Sequence, residues 1–282
     1  MIKWVKRGLL VVGLIIAIGL SLLGYAYFVE PRQLVVTRAE LRIPNFDRRL
    51  DGLKVVAISD LHGGSNYVTP ERLREIVTLA NEQKPDLIVL LGDYVSQIEG
   101  NRGPLKMSAE DVAANLRGFT ARYGTFAIIG NHDWWYDQAA VTTALESAGI
   151  TVLDNEIATI EINGTELNIW GIEDLWKHRK VPLEPLDRLS EKRNVVALAH
   201  NPDSLLLAPS EISLIFSGHS HGGQVNLPFV GRKAFVNDER FMYGHAVADG
   251  KHVYVTGGVG TSVLPLRFRV PPEIAVATLY AE

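Results

Sequence analysis

Polar clusters follow apolar runs at five places in this sequence, and this recurrence constrains the fold more than any other feature. Each run is short and rich in β-branched residues, which predicts a buried strand, and Asp, Asn or His residues come directly after it. The pairs are Lys54–Ser59 with Asp60 and His62, Leu87–Leu91 with Asp93, Gly124–Ile129 with Asn131 and His132, Val195–Ala199 with His200, and Ile212–Phe216 with His219 and His221. Because sites in α/β proteins collect where strands end, we expect these side chains to share one pocket.

Helical patterns lie between several of the predicted strands, and the second half of the chain is richer in strands. The predicted helices are 70–83, 109–119 and 138–148. The further predicted strands are an edge strand at 35–43, a hairpin of 157–162 with 166–170, and strands at 253–256 and 274–280. The polar stretch 97–107 predicts a loop. This order predicts a layered α/β domain in which helices cover packed sheets.

Residues 8–28 contain no charged side chain and are mostly apolar. As a helix they would span about 30 Å, which is enough to cross a bilayer. We therefore expect a single transmembrane helix. Two alternatives stay open: a cleaved signal peptide, for which Gly24-Tyr25-Ala26 offers a processing site, and a helix buried in the core.

Basic residues flank this apolar segment on both sides. Lys3, Lys6 and Arg7 precede it and predict a cytoplasmic N-terminus at the inner (plasma) membrane. Arginines also follow it closely, so the side on which the following domain lies stays open. The predicted organisation is a basic flank at 1–7, a transmembrane helix at 8–28, a connector at 29–52 and a domain at 53–282.

Composition excludes some kinds of chemistry. The chain has 282 residues and a net charge of −4, so charge gives no indication of nucleic-acid binding. It contains no cysteine, which excludes disulfides, cysteine-ligated zinc and a thiol nucleophile. The oligomeric state is not indicated by any feature of the sequence.

The five polar clusters together supply carboxylates, imidazoles and one amide. Each cluster alone also has an ordinary explanation as a helix cap, a turn or a core histidine. As a set they form ligands for two divalent cations, and the absence of sulfur suits Mn, Fe, Zn, Co or Mg. Since metal–ligand bonds are about 2 Å long, we expect Asp93 within about 8 Å of both His62 and His200.

These motifs, in this order, resemble those of the calcineurin-like metallophosphoesterase superfamily: Asp-x-His at 60–62, Gly-Asp at 92–93, Gly-Asn-His-Asp at 130–133, His200, and Gly-His-x-His at 218–221. The resemblance covers residues 54–222 and implies a four-layer α/β/β/α sandwich with two metal ions, manganese being the metal we expect. The implied ligands are Asp60, His62 and His221 for one ion, Asn131, His200 and His219 for the other, and Asp93 as the bridge.

The resemblance also implies a reaction. In such sites two cations about 3.5–4 Å apart hold a phosphoryl oxygen and lower the pKa of a shared water, which attacks phosphorus in line. By resemblance, His132 protonates the leaving oxygen or steadies the phosphoryl group, and Asp133 orients the His132 imidazole.

Three departures from the protein phosphatases of this superfamily narrow the substrate. Ser96, Gln97 and Ile129 stand where that group has Asp, Arg and Arg, and those arginines grip a phosphomonoester dianion. We therefore expect a phosphodiester or pyrophosphate substrate. Arg267 and Arg269 are either phosphate contacts or surface arginines, and the aromatic run 134–136 is either an apolar lip for an acyl chain or base, or ordinary packing.

The sequence thus predicts a membrane-anchored dinuclear phosphoesterase acting on a lipid, lipid-linked or nucleotide-sugar substrate, with a role in lipid metabolism. UDP-diacylglucosamine pyrophosphatases of lipid A synthesis share the motif set and provide one alternative. A catalytically silent docking module on the same fold is the other.

Overall fold

The computed structural model describes residues 2–97, 103–234 and 236–282. Part of the predicted loop 97–107 therefore lies outside the described residues. The helices are α1 (Ile2–Phe28), α2 (Pro70–Glu82), α3 (Ala109–Leu116), α4 (Asn131–Tyr136), α5 (Gln138–Ser147), α6 (Glu184–Asp187) and α7 (Ser204–Leu207). The strands are β1 (Val35–Ile43), β2 (Leu53–Ile58), β3 (Leu87–Leu90), β4 (Thr125–Ala127), β5 (Thr151–Val152), β6 (Ile157–Ile162), β7 (Thr165–Ile172), β8 (Val195–Ala199), β9 (Ile212–Ser217), β10 (Asn226–Leu227), β11 (Gly231–Arg232), β12 (Gly244–Ala248), β13 (Lys251–Val255) and β14 (Glu273–Ala281).

Two six-stranded sheets form the centre of the fold. The first has the order β1-β14-β2-β3-β4-β5, and the second has the order β12-β13-β9-β8-β7-β6. Strands β2 to β5 are parallel, as are β7, β8, β9 and β13. Within each sheet the registers align the strand ends, with Ile58 opposite Leu90 and Leu198 opposite Phe216. The carboxyl ends that carry the polar clusters therefore lie side by side.

The sheets pack face to face with helices outside them. Val55 and Ala57 of β2 lie in a cluster with Leu198 and Phe216 of the second sheet. The alternate residue Val56 faces α2, α3 and α5. The far face of the second sheet is covered by α6 and α7. This alternation along one strand is the pleat of a sheet buried on both sides. The predicted four-layer α/β/β/α sandwich is confirmed.

The structure differs from the predicted elements at a few points. Helix α3 ends at Leu116, because the chain leaves the helix at Arg117 and Gly118 takes a φ of 103°. Helix α4, which the sequence pattern does not predict, begins at Asn131 within the polar cluster that follows β4. The edge strand predicted at 35–43 is confirmed as β1, which pairs with β14 along nine residues at the edge of the first sheet.

Helix α1 is exposed along almost its whole length. The candidate span is Lys3–Arg32, and only 6% of an 18-residue apolar window within it is buried. The helix is long and apolar enough to cross a membrane. A helix packed in a protein core would bury most of this surface, so the exposure rules out the buried-helix alternative. A signal sequence has the same length and composition, so that alternative stays open.

Candidate metal centre

Five of the predicted site residues have left-handed backbone conformations. Asp60, His62, Asp93, His219 and His221 have φ values of 54°, 47°, 59°, 66° and 51°. Such conformations are uncommon for residues other than glycine and cluster at functional sites. Here they turn the chain sharply at the strand ends, and hydrogen bonds between the loops hold the turns, as from the His62 amide to the Asp93 carbonyl at 2.9 Å.

Asp60, His62 and His221 form one group of side chains. The Nε2 atoms of His62 and His221 lie 3.2 Å apart, and His221 Nε2 lies 3.4 Å from Asp60 Oδ1. The Nδ1–H of His62 donates to the Val95 carbonyl at 3.2 Å, so the lone pair on Nε2 points into the group. Two imidazole nitrogens and a carboxylate oxygen in this arrangement suit a divalent cation.

Asn131, His200 and His219 form a second group beside the first. The Nδ1–H of His200 donates to the Leu91 carbonyl at 2.6 Å, which turns Nε2 towards the centre. Nδ1 of His219 lies 3.0 Å from the Asn131 side-chain oxygen, and the His200 and His219 rings are 5.1 Å apart. This group also offers imidazole nitrogens together with an oxygen donor.

Asp93 lies between the two groups. Its Oδ2 is 3.1 Å from His200 Nε2 and 3.6 Å from His62 Nε2, well inside the distance required of a shared ligand. The same oxygen is 3.9 Å from His132 Nε2, and Oδ1 accepts a hydrogen bond from the His132 amide at 2.9 Å. The carboxylate therefore has the position of a bridge between two ions.

Burial sets the protonation states of these groups. It lowers the pKa of His62 to about 3 and of His219 to about 4, and it holds that of His221 well below its ordinary value. These rings are neutral and can donate lone pairs. Burial alone would raise the pKa of Asp93 and lower that of His200, but the attraction between the two reverses both shifts. A metal ion would have to displace the proton that they share.

Asp133 does not have the predicted contact. Its carboxylate accepts backbone hydrogen bonds from Asp93, Tyr94, Val95 and Gly130 at 2.8 to 3.1 Å, while His132 Nδ1 hydrogen-bonds to the Gln97 carbonyl. The predicted orientation of the imidazole by Asp133 is therefore corrected. A carboxylate that collects these amides fixes the loop that carries Asp93, and a backbone carbonyl orients His132.

Arg267 also differs from both predictions made for it. It is fully buried, and its guanidinium donates to the carbonyls of Gly257, Gly258, Gly260 and Val270 at 2.6 to 3.1 Å. Burial lowers its pKa to about 10, so it stays charged at neutral pH. Its donors are used within the fold, and it is neither a phosphate contact nor a surface residue.

Asp174 is a buried acid that the sequence analysis missed. It follows the end of β7, next to the strand that carries His200, and burial raises its pKa to about 6. Its Oδ1 accepts a hydrogen bond from the Trp176 amide at 2.8 Å, and Oδ2 has no hydrogen-bond partner among the described residues. The available signal was an acidic pair, Glu173 and Asp174, directly after Ile172.

Aromatic rings form a wall beside the centre. Trp135 lies 4.8 Å from the His132 ring and 5.7 Å from Trp176, which in turn lies 6.2 Å from the His219 ring. Trp134 packs against the helical layer instead. Of the aromatic run 134–136, the middle residue therefore faces the centre and the first one is ordinary packing.

Comparison with known proteins agrees with this geometry. The family described as "Calcineurin-like phosphoesterase" matches residues 53–223. The metallophosphoesterase YkuE of Bacillus subtilis is 34% identical over 91% of this chain and 89% of its own length. Phosphodiesterase YaeI of Escherichia coli is 35% identical over 91% of this chain and 92% of its own length. A "Transmembrane protein with metallophosphoesterase domain" from Danio rerio is 30% identical over 94% of this chain and 61% of its own length.

Proposed function

Because the chain belongs to the calcineurin-like phosphoesterase family, we propose that it is a membrane-anchored hydrolase that cleaves a phosphodiester or pyrophosphate bond at a two-metal centre. Family membership makes it a metal-dependent phosphoester hydrolase. The observation that best supports two ions is Asp93 Oδ2, which lies within 3.6 Å of a histidine nitrogen from each group.

The donor set fits divalent cations. His62 and His200 each have Nδ1 engaged by a backbone carbonyl, so each presents Nε2 to the centre. His221 and Asp60 complete the first group, and Asn131 and His219 complete the second. When bound, two cations neutralise charge on the phosphoryl oxygens and lower the pKa of a water that they share. Manganese is the metal proposed.

His132 has the geometry of the acid that protonates the leaving oxygen. Its Nδ1 is engaged by the Gln97 carbonyl and its Nε2 faces the cavity, 3.9 Å from Asp93 Oδ2. A protonated ring in this position can deliver its Nε2 proton to a departing oxygen. The aromatic neighbour Trp135 limits the movement of the ring.

The cavity beside His132 supports a diester or pyrophosphate over a monoester. It has a volume of about 300 Å³, and its lining includes Lys106 but, among the described residues, no arginine. The buried Arg267 has its donors occupied elsewhere. The described lining residues therefore offer no bidentate grip on a phosphate dianion, and a diester, which carries one charge, needs none.

The anchor supports a lipid or lipid-linked substrate, since α1 would hold the centre close to a bilayer. The proposal is a single crossing of the plasma membrane with the N-terminus in the cytoplasm, and a catalytic domain that includes β1. A UDP-diacylglucosamine substrate would need the domain on the cytoplasmic side instead. No described contact favours it, and none favours a silent docking module. A reporter fused after Glu282 would determine the side.

Activity of the full chain in lipid nanodiscs tests the proposal. We expect Mn²⁺-dependent hydrolysis of bis(p-nitrophenyl) phosphate that exceeds hydrolysis of p-nitrophenyl phosphate. Asp93→Asn should lower kcat/KM by more than about 100-fold, because replacing even an outer partner of a metal ligand costs about 10- to 100-fold. Asp249→Asn is a matched control, since this exposed aspartate has a similar φ of 52°. Equal activity of the two variants, or no turnover with any divalent metal, would refute the proposal.

A further inference from the structure

We propose that two apolar loop tips insert into the lipid surface beside α1 and that the cavity opens at this surface. The tips are the β10–β11 turn, residues 227–230, and the loop 262–265; together we call them the apolar tips. The inference rests on the proposed membrane anchoring by α1, and it adds a second contact with lipid. It also restricts the substrate to amphiphiles of the same leaflet.

The apolar tips expose large side chains that a water-soluble surface would rarely present together. Phe229 is fully exposed, Val263 is 78% exposed, and Val230 and Leu264 are 61% and 54% exposed. Single exposed apolar residues are ordinary, but a contiguous group of this kind marks an interaction site.

The loop 262–265 is joined to the end of α1 through the side chain of Asn66. The Asn66 side chain donates to the Tyr27 carbonyl at 3.2 Å and to the Pro265 carbonyl at 2.8 Å, so one side chain joins the helix end to the loop. The Arg267 amide donates to the Ala26 carbonyl at 3.0 Å. Because α1 is the segment that would enter the bilayer, this loop lies where the chain meets the lipid headgroups.

The segment 224–226, which leads into the β10–β11 turn, is bonded to the same loop and to Phe268 just after it. The Gln224 side chain donates to the Leu264 carbonyl at 2.6 Å and accepts from the Ser262 amide at 2.9 Å. The Asn226 amide donates to the Phe268 carbonyl at 2.9 Å. Both tips therefore form one unit with the end of α1.

Charge around the apolar tips favours lipid as the occupant. The segments 224–234 and 259–272 contain no acidic residue. Arg269 lies within them and is exposed, whereas the exposed Lys233 pairs with Glu239 at 2.6 Å. Apolar side chains beside an exposed arginine match an interface with anionic headgroups outside and acyl chains beneath. A protein partner would not explain why the apolar tips adjoin the end of α1, which is long and apolar enough to cross a membrane.

The same loop reaches the candidate metal centre. The cavity is lined by His62 and His132 on one side and by residues 261–265 on the other, and Ser262 Oγ lies 3.5 Å from His132 Nε2. A phosphate held at the centre would thus have the exposed Val263 and Leu264 next to it. This geometry suits a substrate whose phosphate enters the cavity while its apolar chain stays in the bilayer.

Single cysteine labels test the inference in the full chain, which contains no native cysteine. Phe229→Cys and Val263→Cys would carry an environment-sensitive fluorophore in nanodiscs of phosphatidylcholine and phosphatidylglycerol with a nitroxide-labelled acyl chain. Leu23→Cys, within α1, is the positive control. Val247→Cys is the negative control, because it pairs with His252 at the end of β12–β13 opposite the centre.

We expect the nitroxide lipid to quench labels at 229 and 263 several-fold more than the label at 247. Quenching at 23 without quenching at 229 and 263 would overturn the inference while leaving the anchor in place. Absence of quenching at 23 as well would refute the anchor and the inference together, whereas the diesterase assay would still report on the centre. Signals at 229 and 263 that depend on protein concentration and not on the nitroxide lipid would indicate self-association and also overturn the inference.

Discussion

The loops around the metal centre and the apolar tips lie next to each other but are built in opposite ways. In the metal-site loops the backbone is strained, the side chains are largely buried, and backbone amides are held by buried acceptors, as the amides collected by Asp133 illustrate. In the apolar tips the large side chains have no protein neighbour to cover them. The metal-site loops have most of their contacts within the protein and need in addition only the ions that their ligands suit. The exposed side chains of the apolar tips lack contacts within the protein, and we propose that lipid covers them.

Gly130→Ala should have the largest effect, and it tests how closely the metal-site loops are packed. A Cβ at this position would fall on the Asp93 carboxylate and its backbone amide, although the φ of −95° suits any residue. Displacing a bridging carboxylate by about 1 Å can cost about 100-fold in rate. We expect at least that loss in kcat/KM, measured with the chromogenic diester. Gly13→Ala, with open space around its Cβ, is the control. Wild-type activity of the glycine-130 variant would show that the loops tolerate displacement.

The pH dependence of stability should differ between metal-depleted wild type and His219→Asn. The folded-state pKa of His219 is about 4 against an ordinary 6.5, so the unfolded chain takes up a proton first as the pH falls. The contribution of the neutral His219 ring to the free energy of unfolding is therefore fully present above pH 6.5 and is lost as the pH falls towards 4. A shift of this size corresponds to about 3 kcal/mol.

Urea unfolding across this pH window measures the difference, and the variant should have the shallower slope. Asparagine tolerates the left-handed conformation at this position, so the backbone is preserved. Identical slopes for wild type and His219→Asn would contradict burial of a neutral ring.

Asp133→Asn should lower kcat/KM by about 10- to 100-fold, as expected for a partner that positions a metal ligand. Only one side-chain atom of an asparagine is an oxygen that can accept. Either the amides of Asp93 and Gly130 or those of Tyr94 and Val95 therefore lose their acceptor. Each buried donor left unsatisfied costs about 1–3 kcal/mol in the free energy of unfolding. The exposed Asp154→Asn is the control. A variant with normal stability and lost activity would instead assign Asp133 a direct part in the reaction.

Phe229→Ser should have the smallest effect, and it should be confined to lipid substrates. Losing the partial insertion of one aromatic side chain would raise KM for a phosphodiester embedded in nanodiscs by about 3- to 10-fold. Turnover of a water-soluble diester should not change. Val247→Ser is the matched control. An equal change with both substrates would mean that Phe229 acts on the fold and not on lipid.

The sequence was sufficient to locate the elements that bury apolar residues. Strands β2, β3, β8 and β9 are almost entirely apolar, so their pattern indicates strands and their ends indicate the site. The family resemblance that these motifs carry then implies the groups of side chains that the structure brings together. These features depend on local pattern and on the common direction of parallel strands.

The partners of buried polar groups could not be predicted in this way. Arg267 and Asp133 each collect backbone atoms from distant segments, and no local pattern shows which carbonyls or amides a fold brings near a charged group. Asp174 escaped notice because β7 continues to Ile172, beyond the predicted strand end. Each apolar tip contains only a few hydrophobic residues, and such a short run can be buried or exposed. Only the fold shows that no other described element covers these side chains.

The hydrogen bond from the Arg267 amide to the Ala26 carbonyl affects which substrates the active centre can contact. The Arg267 side chain also donates to the carbonyls of Gly257, Gly258 and Gly260, and this glycine segment packs against Asp60, so α1 is tied to the proposed metal ligands through a single residue. With α1 in a bilayer as proposed, the active centre would stay at a constant height above it. Substrates longer or shorter than that height would be excluded by their dimensions, and a change in bilayer thickness would alter which phosphates come within range.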